Sequence, residues 1–379
     1  MKRLIAVSLL LCLVLCGCGA DNTPTEYTGG TLPTEEQPIL ITTLPTQPEE
    51  TTQPTEDTQP TEDTQPTQPE EEFAYRHPLT GEGLDEPLLA RPYAVVIDND
   101  NSQALPHWGV GDVDILFEMP HEGGSTRMIG VLTDVSQTER FGPTRSVRPY
   151  LLSVARSFGA ILVHAGGSPQ GYEQLKKTGW DNLDGVQGSG AGKYYKRDNS
   201  RKVDSWHTMY ITGENILSYT KQLGHDNTLD EMANYQFQFA QDGTPAQGTA
   251  ANTVTVRFRK DGKKSVFTYH EDTGDYTMEQ LGLSYTDGNT GEKVHFENII
   301  AIATKVGTID DYGRLSQELE NKSGKGYFAC GGKMIPILWS RGSATDPFRF
   351  TLEDGTPLTL GVGKTYVAVV YNGAPIEGR

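Results

Sequence analysis

Ten residues in one half of the chain carry the groups that acid, base or anion chemistry requires: Asp98, Glu118, Glu122, Arg127, Arg145, Arg148, His164, Asp198, Arg201 and His207. Arg145 and Arg148 precede an apolar helical pattern, and a helix start offers free N–H groups and the positive end of a dipole. Two guanidinium forks there suit a phosphate or a carboxylate. Gly166-Gly167-Ser168-Pro169 reads as a second helix start, with Ser168 as N-cap and Pro169 in the first turn. Duller roles compete at each position. Arg127 and Glu122 can pair across a glycine turn, the two later arginines can pair with Glu118 or Asp98, and His164 at the end of an apolar strand suits a hydrogen-bonded core histidine. His207 beside Trp206 is the better candidate for a base or a metal ligand. No two-His-plus-carboxylate spacing accompanies it, so no metal is assigned. The chain lacks a P-loop, a Gly-x-Gly-x-x-Gly turn at a strand end and a Gly-x-Ser-x-Gly elbow. Cys330 lies between Ala329 and Gly331-Gly332, as a buried thiol would.

The elements that must position these groups follow from periodicity. Residues 93–98 form an apolar run ending in Asp98, and residues 113–118 and 128–133 form two more around the polar turn His121 to Arg127. Leu151, Val154, Ala155 and Phe158 repeat at helical spacing, residues 160–164 read as a strand, and a helix runs to about Lys177. Strand and helix in alternation predict an N-terminal three-layer α/β domain over residues 88–240. Beyond a polar linker near residues 241–252 the pattern alternates with period two, as in Val254, Val256 and Phe258, and is punctuated by Asp-Gly turns at 261–262, 287–288 and 354–355. That predicts a β-rich domain over residues 252–379. The whole is an α+β chain in which strand ends of the first domain form a polar cleft.

Composition narrows the partners. The 379 residues hold 50 acids against 32 bases, for a net charge of -18. A nucleic-acid binder needs a clustered basic surface, so that class is set aside. Between residues 19 and 72 the chain has 13 acids and no Lys or Arg, and it is rich in Thr, Pro and Gln. Residues 19–75 are therefore expected to be a disordered stalk. Before it, Lys2 and Arg3 precede a short apolar run, and Leu15-Cys16-Gly17-Cys18 resembles a bacterial lipobox. Residues 1–18 then read as a lipoprotein signal peptide with Cys18 as the acylated residue. Two or more acyl chains anchor stably where one does not. The expected location is the extracellular face of the cytoplasmic membrane.

Glu122-Gly123-Gly124-Ser125-Thr126-Arg127, Gly142-Pro143-Thr144-Arg145-Ser146-Val147-Arg148 and His164-Ala165-Gly166-Gly167-Ser168-Pro169, in this order behind a lipobox, resemble the YerB-type lipoproteins of Gram-positive bacteria, a family known mainly as a domain of unknown function. The resemblance runs from about Arg91 to the C-terminus and includes Arg91-Pro92, Asp98-Asn99, Glu118, Arg197-Asp198 and Arg201. It departs from the family's Pro-His-Asn at Trp206-His207-Thr208, and Asp100 stands where a histidine is common. It implies a membrane-anchored body in two parts and supplies no reaction. The leading expectation is a binding module for an anionic wall glycan, lipid head group or protein segment, with no cofactor. A looser similarity to the LytR-CpsA-Psr wall-polymer ligases shapes the alternative, a Mg2+-dependent phosphotransferase or hydrolase acting on lipid-pyrophosphate-linked glycans. There the arginines would hold the pyrophosphate and Asp98 the ion.

Overall fold

The computed structural model describes residues 73–379, and the expected signal peptide, Cys18 and nearly all of the expected stalk lie outside the described residues. Strands greatly outnumber helices. In chain order the elements that matter are β1 (Tyr93–Asn99), β2 (Ile115–Pro120), β3 (Thr126–Leu132), α1 (Pro149–Ser157), β4 (Ile161–His164), α2 (Pro169–Thr178), β5 (Asn182–Asp184), α3 (Gly213–Leu223), β6 (Thr253–Arg257), β7 (Lys264–His270), β8 (Asp275–Gln280), β9 (Asn298–Thr304), β10 (Lys322–Cys330), β11 (Lys333–Arg341) and β12 (Thr365–Tyr371).

One sheet of eleven strands organises the body, with the order β11-β10-β9-β12-β2-β3-β1-β4-β5 along most of its width. The two halves of the chain therefore do not own separate sheets. β12, near the C-terminus, lies parallel between β9 and β2, so the period-two strands expected to form a β domain of their own extend the sheet of the first half. β6, β7 and β8, with short neighbouring strands, form a second, separate sheet of six strands. Periodicity names strands but not their partners, and parallel pairing between distant segments leaves no local mark. Being buried on both faces, β1, β3 and β12 read as nearly unbroken apolar runs.

One face of the sheet (Ala94, Val96, Ile129, Leu162) packs on Leu151, Val154 and Ala155 of α1 and Leu175 of α2. The other (Tyr93, Val95, Ile97, Val163) packs on Ile216 and Tyr219 of α3 and on Val254, Phe267 and Met278 of the second sheet. Each such Val, Leu, Ile, Phe or Met side chain contributes about 1.5–3 kcal/mol of transfer free energy. α1 and α2 begin where their prolines predict, and Ser168 caps α2 by accepting from Gly171 N at 3.0 Å. α3 escapes the periodicity argument because few of its positions are apolar and buried; Thr212 caps it and Gly224 ends it in a left-handed turn at φ 71°.

Candidate functional site

β1, β2, β4 and β12 run parallel within the sheet while β3 runs against them, so the C-terminal ends of the first four and the start of β3 share one edge. Alternation along β1 then divides the polar residues between two faces. Asp98 lies opposite Arg127 in the β1–β3 register and Asn99 opposite Thr126. Asp98 and Arg127 fall on the side of α1, and Asn99, Thr126 and Glu118 on the side of the second sheet.

On the α1 side, Asp98 is fully buried. Its Oδ2 accepts from His207 Nδ1 at 2.5 Å and its Oδ1 lies 3.5 Å from Arg145 Nε. Asp100 joins the two guanidiniums: Arg127 Nη2 donates to Oδ1 at 3.0 Å and Arg145 Nη2 to Oδ2 at 2.7 Å. Arg145 is delivered by the segment before α1, which is tied to β1 by Asp98 N donating to Pro143 O and Arg145 N to Val96 O. Its Nη1 donates to the Trp206 carbonyl at 3.3 Å. The Trp206 indole N–H donates to His207 Nε2 at 2.9 Å. Indole nitrogen can only donate, so Nε2 carries the lone pair and Nδ1 the proton given to Asp98.

A second group adjoins the first. Arg148 Nε donates to Glu122 Oε1 at 2.8 Å, His121 Nε2 meets Glu122 Oε2 at 2.5 Å, and His121 Nδ1 accepts from the Tyr150 hydroxyl at 3.0 Å. His121 Nε2 also lies 3.8 Å from Asp100, which connects the two groups. Arg127, Arg145 and Arg148 thus converge on one edge, each facing a carboxylate.

The electrostatics follow from burial set against these partners. Burial alone would raise the Asp98 carboxyl, but the His207 hydrogen bond and the Arg145 and Arg127 guanidiniums outweigh it and hold the group below its ordinary value. Glu122 is likewise depressed: burial opposes, and His121 and Arg148 prevail. Burial, aided by nearby Arg127, pushes His121 down to about 4, so it meets Glu122 at neutral pH as a neutral N–H donor. Arg145 is lowered, first by burial and then by Arg127.

The remaining sequence candidates fall elsewhere or serve the frame. Glu118 faces the second sheet, where Lys263, Thr126 Oγ1 (2.6 Å), Asn99 (3.1 Å), Gln280 (2.8 Å), Ser265 (3.2 Å) and the Tyr366 hydroxyl (2.7 Å) all donate to it. It is a buried junction between the sheets. His164 is fully buried, with Nδ1 donating to Gly166 O at 2.8 Å and Nε2 3.1 Å from Asn182 Oδ1. Ser168 is occupied in capping α2. Asp198 caps its own turn through Ser200 N at 2.9 Å and lies 3.4 Å from Arg140. Arg201 spans the carbonyls of Gln103 (2.6 Å), Leu105 (2.6 Å) and His207 (3.1 Å) and covers Trp108 at 4.8 Å, so it braces the segment bearing His207. Cys330 is buried, and burial pushes its thiol up to about 12. Reasoning from sequence missed Asp100, His121 and Lys263 as partners. Asp100 carried a usable signal, because it stands two residues from Asp98 at the same strand end. Among the described residues no three His, Cys, Asp or Glu groups are arranged to hold a metal ion.

The comparisons agree along most of the chain. A family model described as the N-terminal domain of a protein of unknown function (DUF3048) matches residues 79–226, and the corresponding C-terminal domain model matches residues 254–367. "Putative lipoprotein YerB" of Bacillus subtilis (strain 168) is 28% identical over 311 residues, covering 80% of this chain and 88% of the relative. The crystal structure of YerB protein from Bacillus subtilis superposes with a TM-score of 0.69 at 26% identity, covering 80% of this chain and 99% of that one. The strand-end cluster, from Asp98 to His207, lies within the first matched region, and Lys263 of the Glu118 junction lies within the second. With both domain models matched in chain order, this chain belongs to the DUF3048 family.

Proposed function

We propose that the protein is a cell-envelope lipoprotein, anchored through Cys18 on the extracellular face of the membrane, whose strand-end cluster binds an anionic group on an envelope component. The anchoring half of this reading is supported by the lipobox-like Leu15-Cys16-Gly17-Cys18 and by similarity to a relative whose name calls it a putative lipoprotein. One observation carries the binding half. Around Asp100, Arg127 and Arg145 each keep a buried Nε–H without a hydrogen-bond partner among the described residues, so the guanidiniums hold more donors than their carboxylates accept. Both Nε atoms are themselves buried, and Arg145 Nε lies 3.5 Å from Asp98 Oδ1, so an anion would meet this surplus of donors at the accessible pair, Arg145 and Asp100, whose side chains are 20% and 21% exposed. The cluster is self-neutralised at rest, and an incoming anion would share or displace Asp100.

A binding role fits this chemistry better than the Mg2+-dependent one. Asp98, the residue proposed for the ion, is hydrogen-bonded to His207 and faces Arg145, and a dication would have to sit against that guanidinium. Titration calorimetry of the full-length protein with inorganic pyrophosphate tests the reading. Binding should weaken as salt is raised, and Arg145→Gln should reduce affinity by roughly tenfold or more, the loss of one charge-assisted hydrogen bond. Salt-independent binding, or an Arg145→Gln variant that binds as the parent does, would reject it. For the anchor, Cys18→Ala should leave precursor without acyl chains; an acylated mature form of that variant would reject Cys18.

A further inference from the structure

Trp206 is 52% exposed, an unusual state for a tryptophan. Its orientation is nevertheless restrained. The indole N–H is bonded to His207 Nε2 at 2.9 Å, His207 is fixed by Asp98, and the Trp206 carbonyl receives Arg145 Nη1 at 3.3 Å. The imidazole it rests beside is fully buried, so the N–H edge of the indole meets His207 while much of the ring faces solvent. Its neighbours Asp204 and Ser205 are exposed and polar, and Arg145 is only partly buried. Protein-docking hot spots also favour Trp and Arg, but they lie in well-packed patches whose surrounding contacts exclude water, and exposed Asp204 and Ser205 keep the surroundings of this indole polar. A single oriented aromatic surface inside a polar, guanidinium-bearing rim suits instead a ligand with one apolar face and polar edges.

Resting on the anion-binding reading above, we propose that the ligand is a sugar carrying a phosphate or carboxylate, its ring stacked on Trp206 and its anionic group on Arg145, whose side chain is 20% exposed, with the buried Arg127 behind it. The C–H face of a pyranose supplies the apolar contact that an aromatic plane takes, and its hydroxyls stay in the polar rim. His207 is a positioning residue here: it holds the indole through Nε2 and does not touch the sugar.

The test compares N-acetylglucosamine 1-phosphate with inorganic phosphate, each titrated into full-length protein and into Trp206→Ala, Trp206→Phe and Arg145→Gln variants. The parent should bind the sugar phosphate at least fivefold more tightly than phosphate. Trp206→Ala should lose that preference and still bind phosphate as the parent does, Trp206→Phe should keep most of it, and Arg145→Gln should weaken both probes. Phosphate binding that depends on Arg145 with no preference for the sugar overturns the saccharide assignment and leaves the anion reading standing. Binding of neither probe overturns both. A Trp206→Ala variant that loses phosphate as well would show the indole to be a brace for Arg145, and a hexaglutamate peptide binding more tightly than the sugar phosphate would assign the surface to protein; either result overturns the proposal.

Discussion

Asp98 and His207, 109 residues apart in the chain, meet in a fully buried pair with Nδ1 2.5 Å from Oδ2. The contact joins the end of β1 to the short turn bearing Trp206; Arg145 Nε lies 3.5 Å from the same carboxylate and Arg127 stands opposite Asp98 in the β1–β3 register. Because the folded value of Asp98 is depressed, its contribution to stability is present above the unfolded value and lost as pH falls through the folded one. Asp98→Asn should therefore destabilise the protein at neutral pH by roughly 3–5 kcal/mol, the cost of breaking a buried charge network. The difference between parent and variant should shrink below about pH 4, where Asp titrates in unfolded chains. Urea unfolding from pH 3 to 7 measures this; a pH-independent difference would contradict the assignment.

Asp114 behaves oppositely. Burial raises its carboxyl to about 7, only partly opposed by Thr133, whose N–H donates at 3.0 Å. A raised acid binds its proton more tightly when folded, so it costs stability as pH rises from about 4 towards 7. Buried His107 and His121, lowered to about 3 and about 4, impose the reverse slope, so the readout is a difference. Asp114→Asn keeps an oxygen for Thr133. Relative to the parent it should gain on the order of 2–4 kcal/mol between pH 4 and pH 8. Equal slopes in the two proteins would show that Asp114 titrates normally.

Glu118 and Lys263 link the central sheet to the second sheet in a pocket of polar groups. Glu118→Gln should leave the Lys263 ammonium buried without a counter-charge, destabilising by roughly 3–5 kcal/mol. Adding Lys263→Met should restore much of that loss, since the stranded charge is then gone. A double variant no more stable than the single would mean that the carboxylate matters for its other five donors.

Which parts of this were legible in sequence can be stated residue by residue. β1, α1 and α2 showed themselves through apolar spacing and through Pro149, Ser168 and Pro169, because those signals are local. The insertion of β12 beside β2 was not legible, since a buried parallel strand reads the same wherever it pairs. The convergence of Arg127 and Arg145 could be suspected from their positions at element ends. The assignment of Glu118 to the opposite face depends on strand parity at the last residues of β1, β2 and β3, which only a fixed register decides. Asp100 was passed over because it lies two residues beyond the apolar run that ends in Asp98.

Asp100 yields the sharpest test of a self-neutralised site. It accepts from Arg127 and Arg145 with separate oxygens, and the segment carrying it adds no other cation to the cluster. A ligand anion competes with this carboxylate for the same donors and is repelled by it. Asp100→Asn removes the charge while keeping a side chain of similar shape. Binding of pyrophosphate should then tighten by roughly fivefold to tenfold, about 1–1.4 kcal/mol, a conservative share of one charge-assisted contact. Folding stability should fall at the same time, because two guanidiniums crowd together with less compensation. The opposite movement of affinity and stability separates this from general loosening of the fold, which would weaken both. Calorimetric affinity and urea midpoints on the same preparations decide it: weaker binding in Asp100→Asn would mean that the carboxylate positions the arginines for the ligand and does not occupy its place.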